Sequence, residues 1–452
     1  MGRVPKGYVS HVENELHEVG RSIHAAFPGK SRHPLKALDQ KAMDFAAQDA
    51  ELRAALFRFV DVTPACRNLD DLARHLTDYL QEVDDRPPPL QAAMRMSTTK
   101  PGRAALGAAA ATGVRRMAHR FIVGETPAAA VRAIGRLWDH GAAVSLDLLG
   151  EATVTQAEAD RYAERCMDAL ETLAAAAPSW PERPVLEADS LGSLPRVNLS
   201  VKVSALSPLL RPEAPDVGRE DAARRMRPLL VRADELGAHL HIDMESVDTL
   251  EATIELVFEL LDEPAFADGP STGVVLQAYL RESPEQLERV IEWATHTRRR
   301  PPIVVRLVKG AYWDHEVVEA RQHGWTPPVF EEKVESDRNF EALTRRLLEA
   351  WPHVRPAIAS HNLRSVAHAV AANRAAGRED RDLELQVLRG LGDELAAALA
   401  EHGMRVRIYC PVGDMVAGMA YLVRRLLENT ANESFLGDQQ RGVPVDELLA
   451  AP

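Results

Sequence analysis

Eight short apolar runs, separated by stretches with helical periodicity, constrain this chain more than any other feature of its sequence. The runs are Val144–Leu149, Val197–Ser204, Leu240–Glu245, Val274–Tyr279, Ile303–Lys309, Pro356–Ser360, Leu383–Leu388 and Val406–Cys410. Between them lie segments such as Asp221–Leu236, closed by Gly237, and Asp393–Ala400, closed by Gly403. Strands that alternate with helices predict a parallel sheet, and eight such units favour a closed (βα)8 barrel over an open doubly wound sheet. An open dinucleotide-binding sheet would carry a glycine fingerprint after its first strand, and Leu149-Gly-Glu-Ala152 is not one. Thr126-Pro127 starts a helix by N-cap chemistry, and Gly141 ends it after Asp139-His140. The first 120 residues read as helices alone. Ala42–Val60 and Asn68–Glu82 carry apolar residues at helical spacing, Arg86-Pro-Pro-Pro89 interrupts, and Ala104–Ala111 is a further helix. The expected layout is therefore a helical arm and α domain over 1–120, a barrel over 121–440 and a C-terminal tail over 441–452.

A length of 452 residues accommodates such a core easily, and the net charge of −13 argues against a nucleic-acid partner, which would need a basic face. Cys66, Cys166 and Cys410 are widely spaced and in no metal pattern, as expected of free, buried thiols in a reducing compartment. The start, MGRVPKGYVS, has no apolar signal core, and no run approaches 18 apolar residues, so a cytoplasmic protein is expected. Lysine is rare: 8 against 46 arginines, and only Lys202, Lys309 and Lys333 after residue 101. Where arginine is the default cation, each remaining lysine marks a place that suits a compact ammonium.

In a barrel of this kind, chemistry belongs at the C-terminal ends of the strands. Polar residues gather there: Asp147 and Glu151, Lys202, Asp243 and Glu245, Gln277 and Tyr279, Arg306 and Lys309, Ser360-His361-Asn362, Gln386 and Tyr409. Within IVVRLVKGAYWD, alternation puts Val304, Arg306, Val308 and Gly310 on one face. A buried Arg306 needs an anionic or electron-rich partner. The alternative is a strand-edge arginine paired with a nearby carboxylate, and Gly310 would let a flat ligand approach the backbone. His239-Leu-His241-Ile-Asp243 puts two imidazoles on one face, as metal-dependent barrel hydrolases do, but only His361 offers a further ligand, so no metal is assigned. After the eighth strand, Asp414 is a candidate N-cap for a helix to Asn429. There Arg424, Arg425 and Glu428 form either a solvated group or a fork for a carboxylate or phosphate.

The ordered set VNLSVKVSAL, HLHIDME, GVVLQAYL, VRLVKGAYWD, ASHN, LQVLRGLGD, RIYCPVGDM and YLVRRLLENTANESF closely resembles proline dehydrogenase, nearest to the proline dehydrogenase region of the bifunctional proline utilization A flavoenzymes. The resemblance runs from about Phe121 to Phe435, and more loosely around Lys41 to Arg67. It implies a distorted (βα)8 barrel that binds FAD without a Rossmann domain. It also implies oxidation of L-proline to Δ1-pyrroline-5-carboxylate, with electrons passed to a membrane quinone and hence peripheral contact with the inner face of the membrane. By motif, Arg424, Arg425 and Lys202 would hold the proline carboxylate, Glu151 would pair with Arg424, and Glu428 would join the same site. Arg306 would sit near flavin N5, Asp243 and Tyr409 would hydrogen-bond each other, and Tyr312 and Leu388 would pack around the substrate ring. The flavin contacts would be Met244, Gln277, Arg306, Val308, Lys309, Gly310, Ala311, Trp313, Lys333, Ser336, Ser360, His361, Asn362 and Gln386. Glu331, Glu332 and Ser360 depart from the family pattern, which affects the cofactor contacts rather than the chemistry. Bifunctional members join such a barrel to an aldehyde dehydrogenase. No NAD-binding unit is expected after Phe435, so this chain is expected to stop at the imine, with an aldehyde dehydrogenase as partner. A metal-dependent hydrolase and a DNA-binding module are the competing readings, and residues 1–50 show no basic ribbon for the latter.

Overall fold

The eight runs form eight parallel strands that close on themselves in chain order: β1 (Ala142–Leu148), β2 (Asn198–Lys202), β3 (His239–Asp243), β4 (Ser271–Gln277), β5 (Ile303–Val308), β6 (Val354–Ala359), β7 (Glu384–Leu388) and β8 (Arg405–Val412). The computed structural model describes residues 6–27, 50–84, 88–150, 152–414, 418 and 442–452. β8 closes the barrel against β1 in the register Ala142↔Val406 to Leu148↔Val412. β4 starts at Ser271 rather than Val274, and β6 at Val354 rather than Pro356, because pairing with a neighbour, not apolarity, decides where a strand begins.

The helices are α1 (Lys6–Ala25), α2 (Ala50–Val62), α3 (Leu69–Gln81), α4 (Pro88–Met96), α5 (Lys100–Phe121) and α6 (Pro127–Asp139), followed by those that wrap the barrel. These are α7 (Gln156–Ala176), α8 (Pro215–Glu235), α9 (Val247–Leu261), α10 (Ser283–His296), α11 (Trp313–His323), α12 (Lys333–Glu349), α13 (Leu363–Ala375) and α14 (Asp393–Glu401). α6 begins as its sequence predicts: the Thr126 hydroxyl accepts from the Ala129 amide at 3.2 Å, and Gly141 takes the left-handed conformation, φ +84°, that ends it. Leu146, Leu199, Leu240, Val274, Val305, Ile358, Leu385 and Val406 are buried on the barrel's outer surface, under the helices.

The N-terminal helices are not one block. Val12, Leu16, Val19 and Ile23 line one face of α1 and pack into the barrel's core cluster, each burial worth roughly 1.5–3 kcal/mol. Glu13 and Glu15 tie the same helix to Arg364 and Arg374 of α13, both at 2.7 Å. Phe59, Leu72, Val114 and Phe121, from α2, α3 and α5, form a separate cluster that meets Ile122 and Leu149 at the C-terminal mouth of the barrel. At the N-terminal end a short hairpin, Ala188–Asp189 with Gly192–Ser193, lowers a fully buried Asp189 onto Arg355 (2.8 Å) and Arg405 (3.4 Å). This plug carried no periodic signal in the sequence.

Candidate active site

A carboxylate at the end of β3 organises the mouth of the barrel. Asp243 accepts from Arg306 of β5 at 2.7 Å and from the hydroxyl of Tyr409 on β8 at 2.6 Å. Its Oδ2 lies 3.8 Å from Nζ of Lys202, which register pairs with it on β2. Lys202 makes its short ion pair with Asp147 of β1. Arg306 also donates to the hydroxyls of Ser145 (3.3 Å) and Ser200 (3.2 Å), and its guanidinium lies 5.3 Å from the Tyr409 ring centroid. Contacts that cross the barrel from β5 and β8 to β3 require inward-pointing side chains, so the barrel is filled by charge and hydrogen bonds rather than by aliphatic layers.

Both sequence readings of Arg306 are partly right. The residue is interior, only 3% exposed, and the charge is met by a carboxylate. Burial, with Asp147 and Asp243 nearby, pushes the Tyr409 phenol well above its ordinary value, so it stays protonated and donates. Burial opposes the charge on Lys202, but Asp147 and Asp243 outweigh it and raise the ammonium above its ordinary value.

Below this layer lies a second one. Glu384 of β7 holds Arg407 of β8 through two bonds (2.9 and 3.0 Å) and accepts from Gln386 at 2.6 Å. Burial would raise the Glu384 carboxyl, but Arg407 and Arg405 pull it down to about 2. His239 and His241 do not present nitrogens for a common cation. His239 Nε2 and His241 Nδ1 share a hydrogen bond at 3.0 Å, and His239 Nδ1 meets Ser271 at 2.8 Å. Burial, with Arg407 next, lowers His239 to about 3, and burial, with Arg306 next, holds His241 well below its ordinary value. Asp243, the proposed third ligand of a metal-dependent hydrolase, is committed to Arg306 and Tyr409, so that reading is not favoured. Gly273 makes room for the pair, since a Cβ there would lie 2.5 Å from the His241 ring. Among the described residues one trio with metal-ligand atoms in reach, Cys66, Asp71 and His75, stands on the helical bundle; Cys66 is half-buried rather than buried.

Beyond β5 the chain bends away from the barrel. Gly310 has φ +138°, and a Cβ there would lie 2.4 Å from the Tyr279 ring. The missing side chain makes room for Tyr279, a neighbour the sequence reading did not anticipate. The three late lysines share one property: each pairs with an aspartate that is largely or wholly buried. Lys309 and Lys333 both donate to Asp337, the second at 2.5 Å. Burial lowers the Lys309 ammonium despite Asp337, while these two lysines, against burial, hold Asp337 below its ordinary value.

Trp313 donates to the Phe330 carbonyl at 2.9 Å; Ser336, Ser360 and Met244 are buried, Val308, Tyr312 and Leu388 are half-buried, and Ala311 is exposed. His361 Nε2 accepts from the Leu388 amide at 2.9 Å, and Asn362 caps α13 by accepting from Ser365 at 3.0 Å. A cavity of about 580 Å3 opens at the starts of α12 and α13, lined by Lys333, Asp337, Asn362, Arg364 and Ser365 and covered by Val443 and Leu448. Its lining does not reach Arg306 or Lys202. Glu151, Arg424, Arg425 and Glu428 lie outside the described residues. Asp147 was placed at its strand end by the sequence but given no role, and Ser145 and Ser200, which also belong to the network, were not singled out. Their alternation along β1 and β2 was the signal available.

A model of the proline dehydrogenase family matches residues 130–438, and one of the proline utilization A N-terminal domain matches residues 13–121. The bifunctional protein PutA of Klebsiella aerogenes is 34% identical over 350 residues, covering 75% of this chain and 25% of that protein. Proline dehydrogenase 1 of Bacillus subtilis subsp. natto is 27% identical over 331 residues, 73% of this chain and 92% of its own length. The crystal structure of proline utilization A from Bdellovibrio bacteriovorus, inactivated by N-propargylglycine, superimposes with a TM-score of 0.88 at 35% identity, over 98% of this chain and 44% of that one. The chain thus spans about a quarter of the length of the bifunctional relative.

Proposed function

Since the chain belongs to the proline dehydrogenase family, we propose that it oxidises L-proline to Δ1-pyrroline-5-carboxylate with bound FAD, in the first step of proline breakdown, and passes the electrons to a quinone. The observation that carries this reading is the buried Lys202–Asp243–Arg306–Tyr409 network at the barrel mouth. It offers fixed cations and a phenol but no nucleophile with a base beside it.

The residues present fit a large polar cofactor. Gln277 is 2% exposed, its amide nitrogen donates to the Glu245 carbonyl at 3.1 Å, and its Oε1 has no partner among the described residues. Arg306 Nε is also without one, although both terminal nitrogens are engaged. Gln277, Arg306, Lys309, Lys333, Ser360, His361, Asn362 and Gln386 would hold FAD, with Met244, Val308, Gly310, Ala311, Trp313 and Ser336 about it. Bound there, FAD would accept the hydride from the proline C5–H.

The chain's own residues bind and orient. Lys202, with Arg424 and Arg425, takes the substrate carboxylate; Glu151 and Glu428 steady the arginines, and Tyr312 and Leu388 flank the ring. Arg306, locked by Asp243, supplies a fixed positive charge where negative charge develops. Tyr409 stays protonated and keeps Asp243 in place. On this reading residues 121–440 are the catalytic unit, and an aldehyde dehydrogenase consumes the product. No helix among the described residues is long and apolar enough to cross a membrane, so contact with a quinone pool would be peripheral.

The test is spectroscopic. The purified chain, supplied with FAD, is expected to show a flavin absorption band that proline bleaches under anaerobic conditions, with an imine product trappable by an aromatic amino-aldehyde. A protein that neither carries nor takes up FAD overturns the proposal.

A further inference from the structure

Two carboxylates flank the Lys202 ammonium, and they are not equivalent. Asp243 already accepts from Arg306 at 2.7 Å and from Tyr409 at 2.6 Å, and stands 3.8 Å from Nζ. Asp147, 1% exposed, makes the close contact with Nζ. Register explains the arrangement: Asp147 pairs with Ser200 on β2, so its carboxylate rises from one step below Lys202 and meets the ammonium from underneath. The Lys202 backbone is fixed as well, its amide donating to the Tyr162 hydroxyl at 3.2 Å. An ammonium has three donors. With one taken from below and another facing Asp243, the remaining direction is set by the protein rather than by the flexible four-carbon stem.

We propose that Asp147 is a positioning residue: it holds the Lys202 ammonium in the orientation from which that group meets the substrate carboxylate, without touching substrate itself. The inference rests on the substrate role given to Lys202 above. It divides the work between the two aspartates, Asp243 serving Arg306 and Tyr409, and Asp147 serving Lys202. It also balances charge: Asp147 and Asp243 compensate Lys202 and Arg306, so these four groups carry no surplus positive charge and an arriving carboxylate needs the further cations proposed at 424 and 425.

The experiment is a double-mutant cycle in the FAD-loaded chain with Asp147→Asn, Lys202→Met and the double variant. Asp147→Asn is expected to raise KM for proline about ten-fold or more, the range of one charge-assisted hydrogen bond, with kcat changed less than about two-fold. In the Lys202→Met background the same substitution is expected to change KM less than about two-fold. Equal losses in both backgrounds, or no loss in Asp147→Asn, overturn the proposal. If Lys202→Met leaves KM unchanged with flavin bound, the substrate role of Lys202 fails first, and this inference with it.

A second readout separates charge from packing. The groups around Nζ are Asp147 on β1, Asp243 at the end of β3 and Glu245 two residues on, and Tyr162 and Cys166 on α7, while Arg306 on β5 and Tyr409 on β8 act through Asp243. Removing the Asp147 charge lowers the pH at which Lys202 loses its proton, so the alkaline limb of kcat/KM is expected to move down in Asp147→Asn. Asp147→Glu keeps the charge and is expected to leave that limb in place while still raising KM by displacing the ammonium. If Asp147→Asn does not fold, the Glu variant alone decides: an unchanged KM overturns the proposal.

Discussion

Asp243→Asn is the sharpest perturbation of the barrel mouth, because it changes one charge and almost no volume. One carboxylate oxygen of Asp243 serves Arg306 at 2.7 Å, and the other serves Tyr409 at 2.6 Å. A carboxamide has one acceptor oxygen, so if that oxygen keeps the bond from Arg306 the Tyr409 hydroxyl must turn to accept from the amide nitrogen, and Arg306 in either case loses its charged partner. Arg306, 3% exposed, is then left with neutral acceptors, the two serine hydroxyls and at best an amide oxygen, and no anion. Breaking a buried ion pair on one side costs about 3–5 kcal/mol, and with an m-value of about 3 kcal/mol/M or more the urea midpoint should fall by about 1 M. The assay is chemical unfolding of the FAD-free chain. The decisive partner is the double variant Asp243→Asn with Arg306→Met: removing both members of a buried pair is near neutral, so the double variant should recover about half of the loss or more. A midpoint for Asp243→Asn within about 0.2 M of the parent, or a double variant as unstable as the sum of the two singles, would refute the claim that an interior charge pair holds this site together.

Two further outcomes follow from the same interior. His239 is held neutral down to about 3, whereas in the unfolded chain it takes up a proton below about 6.5, so its contribution to stability falls as pH drops through that window. Between pH 7.5 and 5.0 it should account for about 2 kcal/mol; His239→Gln should remove that share of the pH slope, and an unchanged slope would contradict it. Gly310→Ala forces a side chain into the Tyr279 ring at φ +138°, which should cost about 2–4 kcal/mol. Because residue 310 lies between residues assigned to the cofactor, the same variant should lose flavin on gel filtration. Full flavin retention with an unshifted unfolding midpoint would contradict both parts.

The architecture was legible because eight apolar runs and their helices form a count that few folds satisfy. The caps at Thr126 and Gly141 were legible because they are local chemistry. What stayed hidden depends on the far side of the barrel. The packing of Tyr279 against Gly310, 31 positions later (310 − 279), could not be read from the sequence. The Asp189 plug was missed because two-residue strands have no period to detect. The scarcity of lysine did carry information, since all three late lysines pair with aspartates, Lys202 with Asp147 and the other two with Asp337.

One signal was present and went unread. Strands of a parallel barrel, covered by helices outside and filled by side chains inside, ordinarily run apolar without interruption. Here Asn198, Ser200 and Lys202 alternate with Leu199 and Val201, and His239, His241 and Asp243 alternate with Leu240 and Ile242. Taken singly, the second set suggests metal ligands. Taken together, the two strands pair as Asn198↔His239, Ser200↔His241 and Lys202↔Asp243, polar facing polar at every step. The first strand supplies Ser145 and Asp147 on the same face, and the last supplies Arg405, Arg407 and Tyr409. Period two in a fold that does not need it means that the inner face has a different solvent requirement from the outer one. A polar interior cannot be stabilised by apolar burial, so its groups must satisfy one another, and an unmatched change at any layer leaves a buried charge or donor alone. That dependence gives Arg306 its fixed position, and it is why a perturbation at Asp243 or His239 should appear in stability as readily as in turnover.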